Sequence, residues 1–138
     1  MEHKFEEKVY YSDTDAYGVV WHGSYLRWME KGRVLFCDNL GLNLVDLAKN
    51  NIVLPVTNLN IRYKSSAKLN DEIVITTKVS KITPLSVQFL QTISHKTTGQ
   101  TFTSAEVDVV AISETGKLYR RLPEILKNVF TEEIICKD

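Results

Sequence analysis

One change in the spacing of apolar residues limits how this chain can fold. Between Ser24 and Leu40 apolar side chains recur every three or four positions, with charged residues on the other faces, which predicts an amphipathic helix. Ser24 is predicted to be its N-cap and Gly41 its C-terminal stop. At ~1.5 Å per residue this helix is about 25 Å long, enough to cross a small sheet.

Outside this helix, most of the chain alternates with the period of two that is typical of half-buried strands. Strands are predicted over residues 3–12, 52–63, 72–82, 85–95 and 101–112. The turns are predicted at Lys68–Asp71, Thr83-Pro84, Thr97–Gln100 and Glu114–Lys117, with a short helical piece near Leu44–Asn50 and another that opens at Pro123.

This order of elements predicts how they pack. Strands that are joined by tight turns pair antiparallel, so the four later strands are expected to pair in chain order. One amphipathic helix against an antiparallel sheet is an α+β arrangement. Because one helix covers only one face of such a sheet, a homodimer is expected.

Length and composition narrow the classes of function. The chain has 138 residues, the length of one domain, predicted over residues 1–138. Its 17 basic and 17 acidic residues give zero net charge, which disfavours nucleic acid and anionic membrane as partners. The start of the chain has no apolar stretch that resembles a signal sequence, and no segment approaches the ~20 apolar residues of a membrane span.

The cysteines and histidines indicate no metal site or disulfide framework. Cys37 and Cys136 are too few for either, and they are expected to be reduced and structural. The spacing of His3, His22 and His95 matches no compact ligand set. A cytoplasmic protein is therefore expected.

Chemically useful residues concentrate in the bend before the long helix. Asp13, Asp15 and His22 lie there, together with the aromatic residues Tyr10, Tyr11, Tyr17, Trp21, Tyr25 and Trp28. The aromatic side chains form either a dry pocket wall or ordinary core. The aspartates are either catalytic or turn-formers, and a lone histidine is often structural.

The start of the predicted helix adds hydrogen-bond donors to this bend. Its free amides, around His22, Gly23 and Ser24, are suited to an oxygen that gains negative charge. Gly23 is expected to keep the approach to them open, and Asp15 is close enough in sequence to fold over the same point. The combination favours a catalytic site with an oxyanion hole.

These residues carry a resemblance to a known family. The run Asp13-x-Asp15-x-x-Gly18-Val19-Val20-x-His22-x-x-Tyr25, continuing to Trp28, Glu30 and Arg33, resembles the signature of the 4-hydroxybenzoyl-CoA thioesterase family. Within it, the chain is similar to bacterial acyl-CoA thioesterases associated with the Tol–Pal system. The likeness extends through Leu54-Pro55-Val56, Tyr63, Leu69-Asn70-Asp71 and Arg120-Arg121-Leu122-Pro123.

The resemblance implies a hotdog fold, a long helix wrapped by a five- or six-stranded antiparallel sheet. It also implies dimers joined edge to edge, often paired into tetramers, with the active site at the dimer interface. Asn58 and Asn60 are candidates for the partner strand's contribution, and a solvated strand face is the alternative.

The resemblance also implies roles for individual residues. Asp15 matches the family's catalytic carboxylate, acting as general base or as the nucleophile that forms a mixed anhydride, while Asp13 braces the loop. His22 orients substrate or water. Oxyanion contacts or substrate positioning are expected at or near Gly23, Ser24 and Tyr25. The thiolate leaving group, whose conjugate acid has a pKa around 8.5, needs little acid assistance, so neither metal nor redox cofactor is required.

The expected substrate is a short-chain or aromatic acyl-CoA. Candidate contacts to it are Tyr17, Trp21, Lys64, Lys68, Lys81 and Ser86; the lysines and the serine have the donors that phosphates require, and surface solubility is their alternative. Tyr17 stands where family members commonly have a small residue, so it either narrows the acyl pocket or points outward.

Three other functions are compatible with the same residues. The first is hydrolysis of acyl-carrier-protein thioesters, and the second is hydration or dehydration of enoyl thioesters. Hotdog hydratases usually carry their acid and histidine on the central helix, whereas both precede it here. The third is a non-catalytic acyl-thioester binding module, which would bind without releasing thiol.

Overall fold

A computed structural model describes residues 1–135, so Cys136 lies outside the described part of the chain. The strands are β1 (Glu2–Lys8), β2 (Val56–Tyr63), β3 (Glu72–Ile82), β4 (Ser86–His95) and β5 (Thr101–Val110), and the α-helices are α1 (His22–Asn39), α2 (Leu44–Lys49) and α3 (Glu124–Lys127). The strands form one antiparallel sheet of five in the order β1-β3-β4-β5-β2. Helix α1 lies across one face of this sheet, which confirms the α+β architecture.

Helix α1 begins at His22, two residues before its predicted start, so the expectation that both the acid and the histidine precede the helix is wrong for His22. Trp21 occupies the N-cap position, and the predicted N-cap, Ser24, is buried inside the first turn. The Ser24 hydroxyl donates to the carbonyl oxygen of Asp13 at 3.0 Å, so it ties the helix to the preceding loop instead of capping it. At the other end Gly41 has a φ of +80°, the left-handed conformation that ends helices, as predicted.

The core lies between α1 and the inner face of the sheet. The predicted face of β3 is fully buried, and so are Val87, Phe89 and Ile93 of β4. The predicted neighbour Leu85 lies outside this core, exposed in the turn before β4. Phe36 of α1 packs edge-on against Phe89, with ring centroids 5.7 Å apart.

A polar cluster lies inside this core, where α1 passes closest to the sheet. Gln91 is 1% exposed, and its side-chain nitrogen donates to the carbonyl oxygen of Met29 at 2.8 Å and to the Thr77 hydroxyl at 2.9 Å. Arg33 donates to the other end of the same amide at 3.0 Å. A Cβ on Gly32 would lie 2.6 Å from the Thr77 hydroxyl. Glycine therefore allows helix and sheet to approach closely here.

The expectation that the four later strands pair in chain order is wrong for one pair. Strands β3, β4 and β5 are paired through short turns as predicted, but β2 pairs with β5 at the far edge of the sheet. The connection from β2 to β3 passes beside the start of α1, where the Ala67 amide donates to the Tyr25 hydroxyl at 2.9 Å. Residues 68–71 do form a turn, with Asn70 at a φ of +70°, but it is not a hairpin.

The two ends of the sheet have different neighbours. At one end, which we call the near end, Tyr63 pairs with Thr103 and Ile73 pairs with His95. The Tyr63 hydroxyl donates to the carbonyl oxygen of His22 at 3.1 Å, so the start of α1 lies at this end. At the opposite end, the far end, lie Val56 at the start of β2 and the β3–β4 turn.

Candidate active site

Residues 13–21 form a tight hairpin that leads directly into α1. The Trp21 amide donates to the carbonyl oxygen of Asp13 at 2.8 Å, and the Asp15 amide donates to that of Val19 at 2.9 Å. Gly18 closes the turn at a φ of +78°, a conformation that strains other residues. The carboxylate of Asp15 thus extends from a turn that is hydrogen-bonded back to the residue before α1.

Asp13 holds this hairpin against the helix. It is 6% exposed, and its two carboxylate oxygens accept from the Arg27 guanidinium at 2.7 Å and from the Tyr10 amide at 2.9 Å. Both oxygens are therefore engaged, and the geometry is that of a brace.

Asp15 has a different environment. One oxygen, Oδ1, accepts from the Tyr17 amide at 2.8 Å, and among residues 1–135 no group donates to Oδ2. The residue is half-buried at the first position of the turn. It therefore combines a fixed side chain with one carboxylate oxygen available to water or substrate.

The start of α1 supplies two of the three predicted amide donors. Intrahelical hydrogen bonds begin one turn later, and in the described part of the chain the His22 and Gly23 amides meet no acceptor. The Ser24 amide is not free, since it donates to the carbonyl oxygen of Trp21 at 2.9 Å. The prediction of a free amide at Ser24 is therefore wrong, and the donor pair is His22 and Gly23.

The reason for glycine at position 23 also differs from the expectation. A Cβ there would collide with the Trp21 ring, so the space that was predicted to be open holds an indole. Trp21 is half-exposed and also contacts the His22 ring, with centroids 5.0 Å apart. Glycine allows this ring to lie against the first turn of α1.

The aromatic residues of the bend divide between the two predicted alternatives. Tyr25 and Trp28 are core, and burial raises the pKa of Tyr25 above its ordinary value. The Tyr25 hydroxyl accepts a hydrogen bond from the Ala67 amide. Tyr25 is therefore a buried structural residue that connects α1 to the segment between β2 and β3. Tyr10, Tyr11, Tyr17 and Trp21 are exposed, and Tyr17 is 92% exposed at the tip of the turn. Within one chain Tyr17 points outward.

The remaining predicted contacts lie in two places. Lys64 follows β2 at the near end, and the backbone of Lys68 pairs with Val19 of the hairpin, so both are on the same side of the molecule as Asp15. Lys81 and Ser86 flank the turn at the far end, where the Ser86 hydroxyl hydrogen-bonds to that of Thr83 at 2.7 Å. The structure does not bring these two to Asp15.

Asn58 and Asn60 lie on the outer face of the sheet, opposite the face that α1 covers. Asn58 donates to the Asp108 carboxylate at 3.4 Å, and Asp108 also accepts from Gln88 at 3.0 Å. Asn60 lines a cavity of about 400 Å³ on this outer face. Neither asparagine lies at the start of α1 in its own chain.

The residues around Asp15 form an open surface. Trp21, His22 and Tyr63 are all exposed beside the hairpin. Two of the cavities in residues 1–135 lie elsewhere, the one on the outer face and another of about 440 Å³ between Asn51 and Arg120. A substrate bound at Asp15 would therefore remain partly exposed to solvent if only one chain were present.

The described residues offer no second reactive group or binding site in the form of a reactive thiol, a metal cluster or a membrane-spanning helix. Burial raises the pKa of the Cys37 thiol to about 12, so it stays protonated and unreactive. Residues 1–135 contain no cluster of side chains suited to hold a metal ion. Their helices include none with the length and hydropathy needed to cross a bilayer.

Sequence reasoning gave no role to Tyr63, which the structure brings to the site. Its ring lies between those of His22 and Tyr25, with centroids 6.5 and 5.7 Å away. The available signal was its position as the last residue of the predicted face of β2, but its contact with α1 depends on β2 lying at the sheet edge.

Known proteins resemble this chain along most of its length. Residues 9–130 match the model of the thioesterase-like superfamily. A putative esterase of Synechocystis is 35% identical over 83% of this chain and 69% of its own length. The acyl-CoA thioester hydrolase YbgC of Escherichia coli is 29% identical over 91% of this chain and 92% of its own.

A solved structure supports the same assignment. The probable thioesterase of Bartonella henselae superposes with a TM-score of 0.83 at 31% identity, over 89% of this chain and 100% of that one. This likeness confirms the hotdog fold. Because the family match runs through both the hairpin and the sheet, the chain belongs to the thioesterase-like superfamily.

Proposed function

We propose that residues 1–138 form a single thioesterase domain that hydrolyses acyl-CoA to free acid and coenzyme A, with Asp15 as the catalytic carboxylate. One observation carries the proposal. The hairpin that holds Asp15, with its unengaged Oδ2, runs straight into a helix whose first two amides have no acceptor within residues 1–135. Membership in the thioesterase-like superfamily and the activity named for the Escherichia coli relative support the same reaction.

The arrangement suits thioester cleavage by either of two routes. In the first, Asp15 takes a proton from water and the hydroxide attacks the carbonyl carbon. In the second, Asp15 attacks that carbon directly, and water then hydrolyses the mixed anhydride. In both routes the carbonyl oxygen gains negative charge, which the His22 and Gly23 amides stabilise, and the thiolate leaves without acid assistance because its conjugate acid has a pKa around 8.5.

Thiol release from a panel of acyl thioesters tests the proposed reaction. The panel contains short-chain and aromatic acyl-CoAs, with matched acyl-carrier-protein thioesters as the competing substrate class. We expect turnover of a short-chain or aromatic acyl-CoA. Saturable binding with no thiol released from any member would instead identify a non-catalytic binding module.

The side chain of His22 is proposed to orient substrate or water, not to transfer a proton. Its ring is exposed beside Trp21 and Tyr63, and the variant His22→Ala keeps the backbone amide. We expect kcat to fall by less than the ~100-fold that is typical for loss of an acid or base, measured by thiol release at saturating substrate. A loss as large as that of an Asp15 variant would show that the imidazole takes part in the chemistry.

A second copy of the chain is proposed to close the open side of the site. Strand β2 lies at the sheet edge, and its inner-facing Leu59 is 40% exposed. The edge leaves backbone groups available for pairing with another strand. Antiparallel pairing of two β2 strands would bring the far end of one copy beside the near end of the other, where Asp15 lies. The proposed assembly is a dimer or a pair of dimers.

The variant Leu59→Lys tests this assembly. A lysine at the proposed interface places a charge against its symmetry mate, so we expect more monomer in sedimentation velocity and at least a tenfold loss of activity in dilute enzyme, restored in part at high concentration. Leu85→Lys is the matched control for sedimentation, because Leu85 is 43% exposed but adjoins β4, which β5 separates from the pairing edge at β2. A fully active wild-type monomer would contradict the proposed assembly.

The proposed location is the cytoplasm. The buried thiol of Cys37 is free, which suits a reducing compartment.

A further inference from the structure

Tyr63 makes a hydrogen bond at the point where the proposed function requires an oriented donor. Its hydroxyl donates to the carbonyl oxygen of His22 at 3.1 Å. That carbonyl and the amide of Gly23 belong to the same peptide unit, and the unit is planar and trans. The N–H of Gly23 therefore points away from Tyr63. Because the peptide is planar, a hydrogen bond that fixes the direction of its carbonyl also fixes the direction of its N–H.

We propose that Tyr63 is a positioning residue that orients the Gly23 amide toward the developing oxyanion. The inference rests on the proposed thioesterase function and deepens it. Tyr63 lies on the edge strand β2, whereas Gly23 lies in the first turn of α1. The hydrogen bond thus connects the donor to a strand at the near end of the sheet.

Two contacts restrain this peptide. The Trp21 ring lies against Gly23 and fills the space that a Cβ would need there, and the Tyr63 hydroxyl engages the carbonyl of the same peptide. Helix ends fray easily, because their first amides have no intrahelical partner. Restraint at this point keeps the donor in the geometry that transition-state stabilisation requires.

The hydrogen bond also strengthens the donor electronically. A carbonyl that accepts a hydrogen bond polarises its own peptide, which makes the N–H a better donor, by about 10–30% per bond in condensed-phase estimates. Partial desolvation raises the pKa of Tyr63 above its ordinary value, so the hydroxyl stays protonated at neutral pH and remains able to donate.

The variant Tyr63→Phe removes the hydroxyl and keeps the ring that contacts His22 and Tyr25. Deleting an oxyanion donor outright costs about 10²–10³ in kcat. Loosening one costs less, so we expect kcat to fall about 3- to 30-fold, with KM changed by less than about twofold because the effect acts on the transition state. Thiol release on the panel substrate with the highest turnover measures both constants.

Tyr119→Phe is the matched control. The Tyr119 hydroxyl also donates to a backbone carbonyl, that of Asn51, at 2.7 Å, but it lies outside the proposed site. We expect both variants to melt within about two degrees of each other, since each loses one partly exposed hydrogen bond. Only Tyr63→Phe is expected to lower kcat.

An NMR measurement reads the same effect without turnover. In the Tyr63→Phe variant the Gly23 amide proton is expected to shift upfield, because the carbonyl of the same peptide no longer accepts a hydrogen bond. The Gly116 amide proton is the control and is expected to stay unchanged. A kcat within twofold of wild type together with an unshifted Gly23 amide would overturn the inference. If Asp15→Asn were inactive in the same assay, the proposed function would still stand; an inactive wild type would overturn both.

Discussion

Replacing Asp15 with asparagine is expected to lower kcat for acyl-CoA hydrolysis by about 10²–10⁴-fold. Asparagine keeps an oxygen at the Oδ1 position, so the 2.8 Å hydrogen bond from the Tyr17 amide and the turn it stabilises remain. The substitution removes only the negative charge and basicity that either proposed route needs. Thiol release at saturating substrate gives kcat, and thermal unfolding is expected to be nearly unchanged.

Asp13→Asn is the matched control for this variant. Asp13 lies two residues away in the same hairpin, but both of its oxygens are engaged, by Arg27 and by the Tyr10 amide. We expect Asp13→Asn to lower the melting temperature more than Asp15→Asn does and to reduce kcat less. Near wild-type turnover by Asp15→Asn would refute the assignment of Asp15 as the catalytic carboxylate.

Gly32→Ala is expected to have the largest effect on stability among single-methyl additions to α1. The new Cβ would lie 2.6 Å from the Thr77 hydroxyl and 3.0 Å from the Gln91 side-chain nitrogen, so the buried cluster must separate. Overpacking and a disrupted buried hydrogen bond together cost more than the ~1 kcal/mol that alanine gains in helix propensity. We expect a net loss of about 2–3 kcal/mol in the free energy of unfolding, measured by urea denaturation.

A double-mutant cycle with Thr77→Ala separates the clash from other effects of Gly32→Ala. Thr77→Ala removes the atom nearest to the new Cβ, so the two substitutions together are expected to cost less than the sum of the single losses. Strict additivity, or no loss from Gly32→Ala alone, would show that α1 can move away from the sheet at small cost.

Periodicity determined the elements because it records which face of each element is buried. The long helix, the buried face of β3 and the stop at Gly41 follow from residues three, four or two apart, which share a face whatever else surrounds them. The turn-forming residues Asp13, Asp15, Gly18 and Gly23 likewise predicted a bend before the helix, because turns depend on neighbours in sequence.

Pairing, in contrast, depends on residues far apart in the chain. The turn at residues 68–71 has the composition of a hairpin turn, yet β2 pairs with β5 and not with β3. The connection between β2 and β3 instead passes beside the start of α1, where Tyr25 binds it. The same crossing moves Tyr63 to the start of α1. No local pattern specifies this, since a two-residue alternation fits any neighbouring strand.

The environments of the two aspartates also required the tertiary structure. Local spacing does not distinguish them, but Arg27 of α1 donates to Asp13, whereas within residues 1–135 only the turn amide of Tyr17 donates to Asp15. The helix, the strand faces and the bend that holds the proposed site could be predicted from the amino-acid order alone, because each follows from short-range spacing. The strand order, the engaged Ser24 amide, the Trp21 ring over Gly23 and the unengaged oxygen of Asp15 emerge only from packing, because each depends on which distant backbone or side chain arrives beside it.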